Sequence, residues 1–513
     1  MKKQVAGKIT GTAFVLGLCS ILVKITSFVR DIVLSYIYGA GTVSDAYLVA
    51  VSIPTVLFTG ILTAIYTSYI PMYHEICQTD TRKINRYTSN LINITTILAA
   101  LIVVFFFMFQ DSIVSLFASG FNEETFQLTK TLSGISIFAV IFMAGVYVLQ
   151  GFLQASNRFY LVALFLVPVN LIIAIGIVVS YQYNNRSFMT AAVVIAYFLI
   201  VPIFFIESHK SGFSYELYVN FQDPYLKRTI ITVIPIFMGQ MLAEINNIVD
   251  KNMASRLPSG SVTALDYGFK VGAMVYGILA WPIATVLYPK VSAFLAGGRL
   301  KDAENSVRKS LELMGFIIIP VTVMVVILSE PIIGVLFFRG AFGKEEMRIT
   351  AQVLAVYVIS AIPISYRIIL EKAYYAMKET KKTVIFSGIG IIVNIVLDLV
   401  LLKSYAHIGL AFATTCSCVV TTLCYTIWIA RKRMHGLLGK ELLISTVQAV
   451  GASIVMGEVL NVLKHRFFQN VTENTFETLI KLILVTGISI IIYSICWIIL
   501  EKAKEKFFKT NSN

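Results

Sequence analysis

The run Ser20-Ile-Leu-Val-Lys24-Ile-Thr-Ser-Phe-Val-Arg30-Asp31-Ile-Val-Leu-Ser-Tyr-Ile37 decides the fold: it is apolar enough to cross a bilayer, yet it carries two cations and a carboxylate. A charge at the bilayer centre costs about 2.5–3.5 kcal/mol on insertion scales, so such residues face protein or a water-filled cavity rather than lipid. The same pattern continues along the chain, with Glu244, Asp250, Lys270, Arg367 and Asp398 inside other apolar stretches. A span needs about 20 predominantly apolar residues. That template places fourteen helices, near 9–37, 44–71, 87–109, 125–154, 160–181, 187–207, 226–251, 262–288, 308–329, 348–376, 383–402, 408–430, 442–463 and 475–500. The expectation is an all-α polytopic membrane protein with the polar interior of a transporter.

Composition agrees. Hydrophobic residues make up 57% of the 513 and charged residues 14%, with a mean hydropathy of +0.80, which excludes soluble globular and disordered classes. The net charge of +14 does not point to nucleic acid, because Lys and Arg concentrate in alternate loops, where they set topology. Clusters such as Arg82-Lys83, Lys381-Lys382 and Arg431-Lys432-Arg433 fall on one side. By the positive-inside rule that side, with both termini, is the cytoplasm. The stretch from Met1 to Leu18 mimics a signal peptide, but its apolar run continues past Lys24 and reads as a retained first helix. The six cysteines lie in or beside apolar segments without CxxC spacing, as small apolar fillers do.

Internal repetition divides the chain. Ile113-Val-Ser-Leu-Phe-Ala-Ser-Gly-Phe121, after the third helix, recurs as Ile332-Ile-Gly-Val-Leu-Phe-Phe-Arg-Gly-Ala-Phe342 after the ninth. Gly60-Ile-Leu with Pro71 recurs as Gly277-Ile-Leu with Pro289, and the turn at Ala155-Ser-Asn-Arg158 resembles Met377-Lys-Glu-Thr380. These matches predict two six-helix lobes, 1–222 and 223–434, with the two C-terminal helices in 435–513 outside the repeat. Pro54, Pro168, Pro202, Pro235, Pro282 and Pro363 lie within apolar spans, where each removes a backbone donor.

Lys24 and Arg30 are six residues apart, about two turns of helix, so they offer cations at two depths to an anionic ligand. Alternatively, Arg30 pairs with a carboxylate such as Asp45 and fixes packing. In the second lobe Lys270 either pairs with Asp266 at i, i+4 or faces the cavity as a second cationic wall. Asn394 and Asp398 share a helical face, and with Asp250 and Thr414 they present only oxygen ligands, which suit a small hard cation such as sodium. Buried hydrogen bonding between helices is the reading that ranks above a cation site. No enzyme is expected: the five histidines fall in different loops, and neither a GxxxxGK[ST] loop nor an HExxH helix occurs. Asn93-Ile-Thr95 and Asn470-Val-Thr472 match a glycosylation acceptor as chance motifs.

Phe28-Val-Arg-Asp31, Tyr38-Gly-Ala-Gly41, Ser44-Asp-Ala46 and Ile53-Pro54, in that order, resemble the opening of the MurJ (MviN) lipid II flippases of the MOP transporter superfamily. Leu257-Pro-Ser-Gly-Ser-Val-Thr-Ala-Leu265, Leu336-Phe-Phe-Arg-Gly-Ala-Phe342, Ala373-Tyr-Tyr-Ala-Met-Lys378 and Gly409-Leu-Ala-Phe-Ala-Thr414 are similar to its later signatures. The resemblance implies two lobes around a cationic cavity for a pyrophosphate-linked saccharide, a groove for the polyprenyl tail at the last two helices, and alternating access in a bacterial inner membrane. It places the family's basic cavity positions on Lys24, Arg30 and Lys270, with Asp31 beside Arg30. Two of the three are Lys, which keeps the charge but loses the bidentate fork. The second helix, Thr55-Val-Leu-Phe-Thr-Gly-Ile-Leu-Thr63, lacks the family's Arg and acid, and Phe269 and Val275 replace an acid and a Pro. The implied cargo is lipid II. Other readings are another polyprenyl-linked saccharide for capsule, teichoic acid or exopolysaccharide, a MATE-type cation-coupled exporter of small molecules, and a scaffold for the cell-wall synthesis machinery.

Overall fold

The computed structural model describes residues 2–80, 83–468 and 475–510. Arg82 of the basic cluster and the motif Asn470-Val-Thr472 lie outside them. Among the described residues there is no strand. Ten helices are long and apolar enough to cross a membrane, or up to twelve if each of two bent pairs is one span. One of the ten, Thr380–Lys432, has 53 residues, about 80 Å of helix against a hydrocarbon core of about 30 Å. It breaks at Ala406, whose φ of 47° and ψ of −128° leave the helical region. A helix broken there answers to the two spans, 383–402 and 408–430, read from the sequence.

Packing separates two compact units, Met1–Gly260 and Ser261–Asn513. The first holds α1 (Lys2–Tyr38), α2 (Thr42–Thr79), α3 (Lys83–Met108), α4 (Gln110–Ala118), α5 (Glu123–Ser136), α6 (Ala139–Ala155), α7 (Phe159–Leu164), α8 (Leu166–Gln182), α9 (Ser187–Lys210) and α10 (Pro224–Ala254). α2 lies against α5, α6 and α10, while α1 lies against α8 and α8 against α9. Gly39 closes the α1–α2 turn with φ +64°, a conformation that glycine reaches without a Cβ penalty. α10 begins where Asp223 Oδ1 accepts the N–H groups of Tyr225 and Leu226 at 2.8 and 3.1 Å, with Pro224 at a position that needs no N–H. The unit boundary at Gly260 follows packing, since α10 lies against α2 and α4. The boundaries at 222–223 and 434–435 follow the repeat and stay a proposal.

The second unit holds α11 (Ser261–Ala296), α12 (Leu300–Ile327), α13 (Ser329–Phe337), α14 (Lys344–Tyr357), α15 (Ala361–Ala376), α16 (Thr380–Lys432), α17 (Lys440–Phe467) and α18 (Thr475–Thr510). α11 packs on α12, α14 and α15, and α17 packs on both α12 and α18. Met324, Met456, Leu460, Val485 and Tyr493 fill the core where α12, α17 and α18 meet. The repeat is visible in local geometry. A 9-residue helix followed by a 14-residue helix occurs in both units, as α4 and α5 and as α13 and α14. The turns after α6 and α15 each carry one non-glycine residue in the left-handed region, Asn157 at φ 62° and Lys378 at φ 60°.

The prolines act locally. Pro168 cannot donate to Leu164, and the helix breaks there between α7 and α8. Pro363 cannot donate to Ile359, and Val358–Ser360 is a 3-10 turn. Pro54 leaves the Ala50 carbonyl without its helical partner, and the hydroxyl of Ser136 donates to that carbonyl at 2.8 Å. α2 itself bends by 41° between Thr42–Phe58 and Gly60–Gln78. All six cysteines are free.

Candidate functional site

In the first unit the charged stretch of α1 lies on α8. Arg30 sits on its neighbour: Nε and Nη2 both donate to Asp31 Oδ1, at 3.0 and 2.8 Å. Nη1 donates to Asn170 Oδ1 at 3.2 Å and Nη2 to Ser27 Oγ at 3.3 Å. Asn170 is held in turn, its amide donating to Thr26 Oγ1 at 3.3 Å. Asp31 is 2% exposed and Arg30 21%. The carboxylate is thus inside and the guanidinium partly exposed, which fixes a cation in one orientation. Lys24, half-buried two turns away, has no carboxylate in ion-pair range among the described residues. The carboxylate considered for Arg30 from the sequence, Asp45, accepts the Gly260 N–H at 2.6 Å.

In the second unit the i, i+4 alternative holds, since Lys270 Nζ lies 2.6 Å from Asp266 Oδ2. Both are partly exposed, so the pair spends part of its charge on itself and remains reachable. The packing of α11 beside them explains their position. A Cβ on Gly268 would come within 2.7 Å of Val353 Cγ1, and Tyr267, whose ring centre lies 5.9 Å from Lys270 Nζ, stacks on Phe337 at 4.4 Å. Farther along, Lys372 lies over the rings of Trp281 and Tyr375 at 5.1 and 5.7 Å. Arg367 lies 3.5 Å from Glu371.

The proposed oxygen ligands divide between the units. Asp250, in α10, accepts from Asn246 Nδ2 at 3.1 Å. In α16, Asn394 and Asp398 are both buried, and Asn394 Nδ2 lies 3.4 Å from Thr414 Oγ1. Among the described residues no group of three or more His, Cys, Asp or Glu is placed to hold a metal.

Sequence reasoning missed Asn170 and Lys372. An asparagine in the apolar run Pro168-Val-Asn170-Leu carries a signal, because an amide at that depth needs a partner. Its partner is 140 residues away, which no local pattern reveals. Lys372 was hidden by its place near the end of α15, where a lysine ordinarily reaches the interface.

A family model described as lipid II flippase MurJ matches residues 34–483. Among curated proteins, the probable lipid II flippase MurJ of Thermotoga maritima is 26% identical over 454 residues, covering 87% of this chain and 89% of that one. That of Rhizobium tropici is 24% identical over 455 residues, covering 86% and 85%. Among solved structures, lipid II flippase MurJ in an inward closed conformation aligns with a TM-score of 0.80 at 24% identity, covering 96% of this chain and 99% of that one. An inward-facing MATE family transporter of the MOP superfamily aligns at 0.64 with 14% identity, covering 81% and 96%. These structural likenesses establish the fold.

Proposed function

The chain belongs to the lipid II flippase MurJ family, and from that membership we propose that it carries lipid II across the bacterial inner membrane, from the cytoplasmic to the outer leaflet. The match over residues 34–483 carries this reading. Lipid II joins a polyprenyl tail to a saccharide through a pyrophosphate, so the protein must lower the cost of moving an anionic, strongly hydrated head group through hydrocarbon. No covalent bond changes. In the first unit Lys24 and Arg30 offer positive charge to an anionic head group, with Asp31 and Asn170 holding Arg30 in a fixed orientation; in the second unit Lys270 offers positive charge of its own. Preorganised donors matter because a cation that must reorient gives up part of its binding energy. Alternating access follows if the two states bind the head group differently, since a ligand shifts an equilibrium only by its differential affinity. Both termini lie in the cytoplasm in this reading.

Sodium belongs to the same proposal as a coupling ion at oxygens of the second unit, those of the buried Asn394 and Asp398 and the partly buried Thr414, a donor set of hard oxygen ligands. Replacing sodium by an impermeant organic cation at equal ionic strength should then change the balance of conformations, measured as spectroscopic distances; unchanged distances would remove the ion. The transport reading is tested by expressing the chain in a strain whose own lipid II flippase can be shut off. Growth is the expected result. Lysis with the protein present in the membrane would contradict it.

A further inference from the structure

Residues 213–221 join α9 to α10 without helix or strand, ending in a turn at Phe221 and Gln222, and the main chain of this segment is held by side chains of one turn of α3. Asn90 donates from Nδ2 to the Asn220 carbonyl at 2.9 Å and accepts the Asn220 N–H at 2.7 Å. Asn93 donates to the Tyr218 carbonyl at 3.0 Å and accepts the Tyr215 hydroxyl at 2.7 Å. Ser89 accepts the Glu216 N–H at 3.0 Å. The matched glycosylation motif at Asn93 is therefore a docking residue, and the polar Ser89-Asn90 pair in an apolar helix has its explanation. At one end Phe213 is buried against Phe152, with ring centres 5.4 Å apart.

On the side of α3, Arg86 lies 4.7 Å over the Tyr218 ring and 3.4 Å from Glu216. The apolar side chains in the second half of the segment are instead exposed: Leu217 89%, Val219 46% and Phe221 63%. In a loop facing water such side chains would turn inward. The segment begins where one candidate span, Ser187–Lys210, ends and stops where another, Pro224–Ala254, starts. It therefore runs along the boundary between hydrocarbon and water, the level at which aromatic and aliphatic side chains anchor membrane proteins.

We propose that Leu217, Val219 and Phe221 form an interfacial anchor that inserts into the head-group and upper acyl region of the bilayer, on the side where α3 begins and α9 ends. Two of the neighbouring cations are matched, Lys210 with Glu207 and Arg228 with Glu75, and the exposed side chains of the segment itself are apolar, so apolar burial holds it. The anchor and the asparagine clamp act on the two faces of one strap and fix the first turn of α10 to the membrane plane.

Nitroxide labels at Leu217→Cys, Phe221→Cys and Gln222→Cys test this in the full chain, reconstituted in phospholipid vesicles after replacement of its six native cysteines. The first two positions are expected to collide with oxygen severalfold more, relative to a water-soluble nickel complex, than position 222. Equal access of nickel to all three would overturn the anchor. Exclusion of both reagents from 217 and 221 would overturn it as well, because protein, a second copy or another partner, would then cover the face. A photoreactive amino acid at 217 and 221 in the otherwise unaltered chain gives an independent reading: adducts with phospholipid are expected, and adducts only with protein would refute the proposal.

Discussion

Arg30 and Lys270 reach similar chemistry by different routes. Arg30 rests on a buried carboxylate and is clamped by an amide from another helix, whereas Lys270 is paired along its own helix with a partly exposed acid. If the cation at 270 serves the ligand, neutralising its partner should be tolerated. Asp266→Asn is expected to retain transport, while Lys270→Ala should lose about tenfold or more, equivalent to about 1.4 kcal/mol. Equal loss in both variants, read by complementation at matched protein level, would reduce the pair to a packing device. Close approach fixes other residues. A Cβ on Gly176 would collide with Ala192 Cβ and lie 3.1 Å from the Phe188 carbonyl oxygen, whereas one on Gly145 would meet nothing within 4 Å. Gly176→Ala should therefore destabilise by about 1–3 kcal/mol, and Gly145→Ala should be neutral or stabilise by about 0.5–1 kcal/mol. Thermal unfolding in detergent separates the two, and a shared response would show that helix packing is not the cause.

At the scale of elements, proline breaks explain why the spans are not simple cylinders. Pro54 removes the donor that Ala50 would use, and Ser136 supplies another at 2.8 Å. Ser136→Ala should cost about 1–3 kcal/mol by leaving a buried carbonyl unsatisfied. In a Pro54→Ala background the cost should fall, because the new alanine N–H can serve Ala50. A double-mutant cycle measures the difference, and the same cost in both backgrounds would refute the exchange. Much of this was legible in the sequence. Pro54, Pro168 and Pro363 mark where helices bend or break, and the related segments at 113–121 and 332–342 mark matching short helices. The break between α5 and α6 was not legible, since residues 125–154 read as one apolar span and the pair bends by 43° without a proline. Nor was the strap: 213–221 carries no turn signature, and its partners Asn90 and Asn93 lie more than a hundred residues earlier. Lys24, Arg30, Asp31 and Lys270 stand out in the sequence as site candidates because charge in an apolar run is visible locally. Asn170 does not, because a hydrogen bond between distant helices has no sequence period.

Across the whole molecule, orientation and cargo remain to be joined to the fold. The asymmetry of Lys and Arg predicts that cysteines placed at Gly41, Asn185 and Gly343 react with an impermeant reagent from outside, while those at Gly298 and Lys432 react only from the cytoplasm. Reaction of both groups from one side would break the alternation of spans. The central claim is that the protein moves lipid II, and depleting it in its own cell tests this most directly. The lipid-linked intermediate that builds up in the inner leaflet is then extracted and identified by mass spectrometry. The account predicts accumulation of lipid II; accumulation of a different polyprenyl-linked saccharide, with lipid II unchanged, would contradict it.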